Sequence, residues 1–396
     1  MRRNRFISRA RRSADADSLA KLARRLSESG SRFEDRLWER RLVEMLNDRL
    51  ARGFDSDIDT ALDDLAKTNP RAYDDLADLA ESCAESLTLD IKGVAHDALL
   101  LAVPVLAWSR YKLPAATLSS TLADALAVHL RGHLAAADAH LAVADHLYAI
   151  DQLPETFGEV YDLAQKLFAA AAGDQRLKID AKALREPVAM LADTRYVLAA
   201  LAVPSGRALY HWQETGVDPD AKTQAIEAFR EQVSNALQPL MTGCRYRVLA
   251  PNAFHAALRQ ADRELRAFSL EAALAFLKLT YDMAPADLQA SVAVFEDKRN
   301  ALDWELRIGV SAAGNDDAVI EGVVWPGLGD DEERAHEEVD GALRGLGITR
   351  IQVQAQRFPL EYCDDCGAPL FPNAAGHAVH TEPPEQNEEQ PASPLH

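Results

Sequence analysis

Cysteine is scarce in this chain, four in 396 residues, and two of them (Cys83 and Cys244) stand isolated, so no disulfide framework holds the fold. Long hydrophobic runs are missing as well. The longest, Ala98 to Trp108, is eleven residues broken by Pro104, whereas a membrane span needs about 20. Positive charge is in deficit: 43 Lys and Arg against 62 Asp and Glu give a formal charge of −19, which argues against whole-surface attraction to nucleic acid or anionic lipid. The first twelve residues reverse that balance locally, with Arg2, Arg3, Arg5, Arg9, Arg11 and Arg12 and no acid. No apolar stretch follows them, so neither a secretory nor a twin-arginine leader is expected and a reducing cytoplasm is the default. Common catalytic signatures are absent too: there is no phosphate-binding G-x-x-x-x-G-K-[ST], no G-x-G-x-x-G after a strand, no G-x-S-x-G, no H-E-x-x-H and no calcium-binding loop. The familiar enzyme classes lose weight accordingly, although acid and base groups gathered from distant positions would escape a linear reading.

What is present is the composition of a folded protein, 48% hydrophobic and 27% charged, long enough for two to four domains. From residue 15 to 90 the period is helical. Leu19, Leu22, Ala23 and Leu26 form one stripe, and Phe33, Leu37, Leu42, Leu46 and Leu50 a second. Asp57, and Asn69 followed by Pro70, then read as N-caps of two further helices, the last over about 70 to 87. This N-terminal layer carries complementary charge. Residues 1 to 25 hold nine basic residues against two acids, while 54 to 90 hold eleven acids against Lys67 and Arg71, and the two segments suit one another.

Beyond residue 93 a strand, helix, strand order recurs. A strand-like run ends at Val103-Pro104, a helix covers about 117 to 134, a second run covers 139 to 150, and after Pro154 another helix begins. The order returns with a run ending at Val203-Pro204, a helix over 220 to 240, a strand at Tyr246 to Leu249, and a helix over about 252 to 268. A third, shorter copy runs from Val319 through Pro326, a helix at 331 to 345 and a strand at 349 to 356 to Pro359. Connections of a dozen or more residues are what parallel pairing requires, and proline suits strand ends because it cannot donate to a ladder. Tandem βαβ units are therefore expected. In the third, Ile351, Val353 and Ala355 alternate with Arg350, Gln352, Gln354 and Gln356, which gives that strand one wet face and favours an open α+β sheet. A hairpin joined by Gly314-Asn315 should pair Trp304 to Val310 with Ala318 to Val324.

The start MRRNRFISRARRSADADSLA, the paired AVP runs and the ending RFPLEYCDDCGAPLFPN together resemble domain-of-unknown-function family 2863, a family of bacterial proteins, over nearly the whole chain. The resemblance implies a bacterial cytoplasmic protein. It supplies no activity, cofactor or catalytic residue.

Three places could carry chemistry. Cys363 and Cys366, followed by Gly367, are spaced to bind one side of a tetrahedral zinc on a tight turn; His377 and His380 could complete C-x2-C-x10-H-x2-H, or His336 or a second protomer could serve instead. Asp364 and Asp365 between the sulfurs raise the cost of two thiolates, which a bound cation would offset. A reduced structural pair or a redox pair are the alternatives. His129 and His133 lie one helical turn apart, with His140 and His146 further on, but they share a face with Leu122, Leu126 and Leu130 and suit a core boundary better than a metal. Crevices of open α/β sheets lie beyond the carboxyl ends of parallel strands, which selects Ser109, Arg110 and Tyr111 in the first unit and Ser205, Gly206, Arg207 and His211 in the second; Ser205 to Arg207 could hold an anion. Gly327-Leu328-Gly329 is followed by Asp330 and Asp331, whose charge would repel phosphate, so that loop reads as a helix N-cap.

The chain is thus read as an α+β or α/β protein. A helical region with its arginine arm fills 1–92, strand-helix-strand units fill 93–180 and 181–295, a shorter unit with a hairpin fills 296–360, and a CxxC knuckle with a disordered acidic tail fills 361–396. The function it suggests is a non-enzymatic cytoplasmic scaffold or regulatory binding module, with zinc possible at the knuckle and a protein partner or self-association expected. The alternatives are a small-ligand binder or enzyme using the crevice near Arg207 and His211, and nucleic-acid contact through residues 1–12 alone. No membrane partner is expected.

Overall fold

The computed structural model describes residues 13–109, 113–187, 192–214, 218–297, 300–364 and 367–382. The arginine arm, Arg110, Tyr111, Cys366 and nearly all of the tail therefore lie outside the described residues.

Four helices open the chain: α1 (Ala14–Ser27), α2 (Arg32–Ala51), α3 (Ser56–Thr68) and α4 (Pro70–Glu85). Side-chain caps fix three of their starts. Ser13 accepts from the Ala16 amide, Ser31 from that of Glu34 and Asn69 from that of Ala72, with Pro70 in the first turn of α4 where its missing N–H costs nothing. The cap before α3 is Asp55 rather than Asp57; Asp57 instead accepts from the Ser13 hydroxyl at 2.6 Å and so joins α3 to the start of α1.

A seven-stranded sheet follows, made of β1 (Ser86–Ile91), β2 (Val94–Trp108), β3 (Ala116–Thr117), β4 (His140–Ala149), β5 (Ala192–Pro204), β6 (Arg245–Val248) and β7 (Asn252–Ala253). Its helices are α5 (Ser120–His133), α6 (Phe157–Ala172), α7 (Ala221–Leu237) and the 28-residue α8 (Phe254–Tyr281). Every pairing in it is antiparallel, which corrects the expectation of parallel neighbours within each unit. The two units are instead interleaved. β2 and β4 run parallel with β5 between them, and β5 and β6 run parallel with β2 between them, so each helical connection steps over one strand of the other unit in a split βαβ arrangement. Hydrophobic period reveals a crossover but not which strands become neighbours.

Pro104 corrects a second expectation, because β2 continues through it to Trp108. The Pro104 carbonyl accepts from Leu249, in the gap between β6 and β7, so the edge that lacks its N–H faces a break in the ladder. Alternate residues of β2 and β5 enter two cores. Leu100, Ala102, Leu106, Tyr196 and Leu198 pack with the N-terminal helices, α6 and the first half of α8, and Leu101, Val103, Val105, Val197 and Ala199 pack with α5 and α7. Burial on both faces is why AVPVLAW reads as an unbroken apolar run.

The second half of α8 supplies Leu270, Leu274 and Leu277 to a third core beneath a second open sheet. Its strands are β8 (Leu288–Asp297), β9 (Asn300–Ala312), β10 (Glu321–Pro326), β11 (Ile351–Val353) and β12 (Phe358–Pro359), with α9 (Glu332–Gly345) crossing from β10 to β11. The order is β10-β9-β8-β11; β11 and then β12 pair parallel to β8, and the Gly314-Asn315 hairpin forms as expected. Helices cover one face. The other, expected to be wet, is met by residues from 360–364 and 367–382, which include β13 (Phe371–Pro372) and β14 (Ala378–Val379).

That covering is prepared in the sheet. Gly309 and Gly322 are direct cross-strand partners, and a methyl on either would overlap the Pro372 carbonyl oxygen or the Phe371 ring. Arg307, fully buried, donates from Nη1 to the carbonyls of Glu361 (2.6 Å) and Leu370 (2.8 Å) and from Nε to Glu305 (2.7 Å), with its guanidinium 4.3 Å from the Phe295 ring centre. Asn373 closes the cover by donating to the Asp317 carbonyl and accepting from the His377 amide.

Candidate functional site

A crevice of about 580 Å³ lies where α9 begins beside the end of β11. Its walls follow from local sequence. After Pro326, Gly327 sits so tightly on Trp304 that a side chain there would collide with it. Leu328 and Gly329 then adopt left-handed φ of 53° and 77°, a conformation that costs a leucine roughly 1–2 kcal/mol. The turn delivers Asp331 as the α9 N-cap, its carboxylate accepting from the amides of Glu333 (2.9 Å) and Arg334 (3.4 Å). On the opposite wall, Gln354 still donates to the Val292 carbonyl, but the next three residues leave β8 before β12 rejoins it. Val294 floors the gap, Val353 lines it at 54% exposure, and Gln354, Ala355, Gln356 and Arg357 form its side.

Its electrostatics are lopsided. Asp331, Glu332 and Glu333 face one guanidinium, Arg357, which is already shared between Glu296 (2.6 Å) and Glu332 (2.5 Å). His336 places Nδ1 2.9 Å from the Glu332 carbonyl, a contact in which the ring nitrogen can only donate, so the neutral ring keeps its Nε2 lone pair for another partner. Three acids, a histidine and two valines thus line the crevice, with Asp331 engaged by the α9 amides and Glu332 by Arg357. The crevice is at the carboxyl end of β11, beside its parallel neighbour β8, in the third unit rather than the first two. His336 had drawn attention only as a remote metal ligand. The acidic loop was legible as an N-cap, and the parallel pairing that turns it into a pocket was not.

The anion site expected at Ser205 to Arg207 has its donors engaged. The Ser205 hydroxyl and the Gly206 amide both donate to Asp97, at 2.8 and 3.2 Å. Partial burial pushes the Asp97 carboxyl up, but these bonds and one from Thr88 outweigh it and hold the carboxyl below its ordinary range. Arg207 is exposed and pairs with Asp138 at 3.5 Å, while His211 Nε2 meets the His133 carbonyl at 2.6 Å. Ser109 is buried, with its hydroxyl 3.4 Å from the Gly243 carbonyl. Three of the histidines lie at core boundaries, His129 and His133 stacked with ring centres 5.9 Å apart and His140 in contact with Asp174 at 3.0 Å, while His146 is buried with its ring edge-on to Tyr148. Arg245 and Arg247 both pair with Glu271.

Around Cys363 the backbone closes a tight turn. The Cys363 amide donates to Ala368 (2.7 Å), the Gly367 amide donates to Cys363 (2.8 Å), and Gly367 has φ of 70°. His377 and His380 flank β14; pairing of Pro372 with Ala378 puts His377 beside the far turn of that hairpin, and pairing of Phe371 with Val379 puts His380 nearer Leu370. Among the described residues no three His, Cys, Asp or Glu side chains gather as a metal-holding group. No helix among them is long and apolar enough to cross a membrane.

No curated protein and no solved structure matches the chain. Residues 4–393 match the family described as protein of unknown function DUF2863, and this chain, over nearly all of its length, is a member of that family.

Proposed function

We propose that the protein is a binding module whose recognition site is the crevice at the start of α9, and that the group it recognises is a cationic side chain or amine. The observation that carries this is the lining: Asp331, Glu332, Glu333 and His336 opposite Val294 and Val353, with one guanidinium to offset three carboxylates. The test is a titration of arginine amide into the full chain, followed by NMR of the His336 ring, beside a glutamate-amide control. Perturbation of that ring by arginine amide, abolished by Glu333→Gln, is the expected result. An unperturbed ring, or an equal response to glutamate amide, would overturn the reading.

The turn at Cys363 favours a second role. Its two short backbone bonds and the left-handed Gly367 are the form that a C-x-x-C-G metal turn needs, so we propose that Cys363 and Cys366 hold a zinc-type ion with ligands from His380 or a second copy. Native against denatured mass of gently purified protein decides it. One zinc per chain, lost in Cys363→Ser, is expected, and a bare chain mass would remove the ion.

A further inference from the structure

We infer that the outward face of α2 docks on the same face of a second copy of this chain, the two helices antiparallel about a two-fold axis level with Leu42. The start of α2 lacks a partner of its own. From residue 28 to residue 41 no side chain is buried, and the helix meets its core only through Leu42, Leu46 and Leu50. Helices in proteins are held mainly by the face they bury, so the first half of α2 is left without the packing that would hold it. Yet that half carries apolar side chains. Phe33 is 83% exposed, more than any other large hydrophobic among the described residues, and Leu37, one turn on, is only half-buried; neither joins a core of its own chain.

The exposed side has a pattern that matches itself when reversed. Phe33, Leu37, Arg40, Glu44, Asn47 and Ala51 follow at alternating steps of four and three residues, which keeps them on one stripe, on the side away from Leu42, Leu46 and Leu50. With the axis level with residue 42, Arg40 of each copy meets Glu44 of the other, Leu37 meets Asn47 and Phe33 meets Ala51. Exposed ion pairs add little affinity, so the apolar ends supply it and the two reciprocal Arg40–Glu44 pairs fix the register.

Charges beside the stripe are already engaged, and those on it are not. Glu34 accepts from the Gly30 amide (3.2 Å) and the Ser31 hydroxyl (3.0 Å), Asp48 pairs with Arg49 and Arg52, and Arg41 lays its guanidinium 5.1 Å from the Trp38 ring centre. These are the flanking positions at which two antiparallel copies bring like charges together, Arg41 near Arg41 and Glu34 near Asp48. Each is drawn toward its own chain. Arg40 and Glu44 are exposed and make no ion pair among the described residues. A polyanion is a poorer occupant, because Glu44 stands in the stripe itself.

The experiment is sedimentation equilibrium of the full chain from about 1 to 100 μM. A rise from one chain mass toward two is expected. Arg40→Glu and Glu44→Arg should each weaken association at least about tenfold by setting like charges across the axis, and the combined variant should recover it to within about threefold. Phe33→Asp should weaken it as well. All three positions are exposed, so an unchanged denaturant midpoint in dilute protein separates lost docking from lost folding. A chain that stays single over that range would overturn the inference. So would association untouched by Arg40→Glu, or lost in both single variants and not recovered in the combined one. Association lost on deletion of residues 1–12 would give it to the arginine arm and overturn the seam. A DNA oligonucleotide held more tightly after Glu44→Arg, by a chain that remains single, would assign the face to a polyanion and overturn it likewise.

Discussion

The two sheets are built from similar segments yet solve burial in opposite ways. The first has helices on both faces, so β2 and β5 send alternate residues into two apolar cores and leave little room for a polar site. The second has helices on one face and meets the other with residues from 360–364 and 367–382, held by Arg307 and the Gly309–Gly322 groove. An element docked by hydrogen bonds to one buried guanidinium is more easily released than one fixed by a continuous apolar layer. The second sheet is also where the chain keeps a short open edge, a left-handed leucine and the crevice at the start of α9.

The largest expected effect that would break this comparison comes from Arg307→Ala. It strands Glu305 and two carbonyls in a buried place, and removal of one member of such a set costs roughly 3–5 kcal/mol. If the second sheet is finished by a separable cover, limited proteolysis should cut within residues 361–382 while Leu201→Ala in the first sheet, costing about 2–5 kcal/mol, lowers the whole denaturant midpoint. Cleavage patterns that are the same in both variants would show one cooperative unit.

A smaller effect sharpens it, because each region holds an acid that its surroundings raise strongly. Burial pushes both Glu85, the last residue of α4, and Glu321, at the start of β10, up to about 7 from 4.5; amide bonds from His255 and Gly322 respectively oppose it. Since the folded value lies above the unfolded one, the stabilisation is complete below pH 4.5 and is lost as pH rises through about 7. For Glu85 the loss is at most about 3 kcal/mol. Denaturant titrations from pH 4.5 to 8 should show a declining stability whose slope is reduced by Glu85→Gln. If only Glu321→Gln flattens it, the pH response belongs to the second sheet.

Much of the local structure was legible. The N-terminal helices announced themselves by stripes and by Asn69-Pro70, α9 by Asp331, and the β9–β10 hairpin by Gly314-Asn315. β8 went unseen because LQASVAVFED is buried on both faces over most of its length and shows little alternation. β1 was absorbed into the preceding helix, since its turn at Lys92-Gly93, with both φ positive, lacks the usual Asn or Asp. The anion site at Ser205 to Arg207 was a reasonable reading of residue types, but Asp97 lies more than a hundred positions away and only strand pairing brings it there.

By itself the sequence determined where helices begin, that strands and helices alternate, that the start is basic and the α9 segment acidic, and that the chain belongs with one family. Those are local properties, set by side-chain period, caps and charge within a few turns. Tertiary structure alone decided that the βαβ units interleave, that the C-terminal segment covers a sheet face, and that β11 and the start of α9 enclose a crevice. Such choices depend on which distant backbone edges satisfy one another's hydrogen bonds, and a residue's neighbours along the chain do not record its neighbours across a sheet.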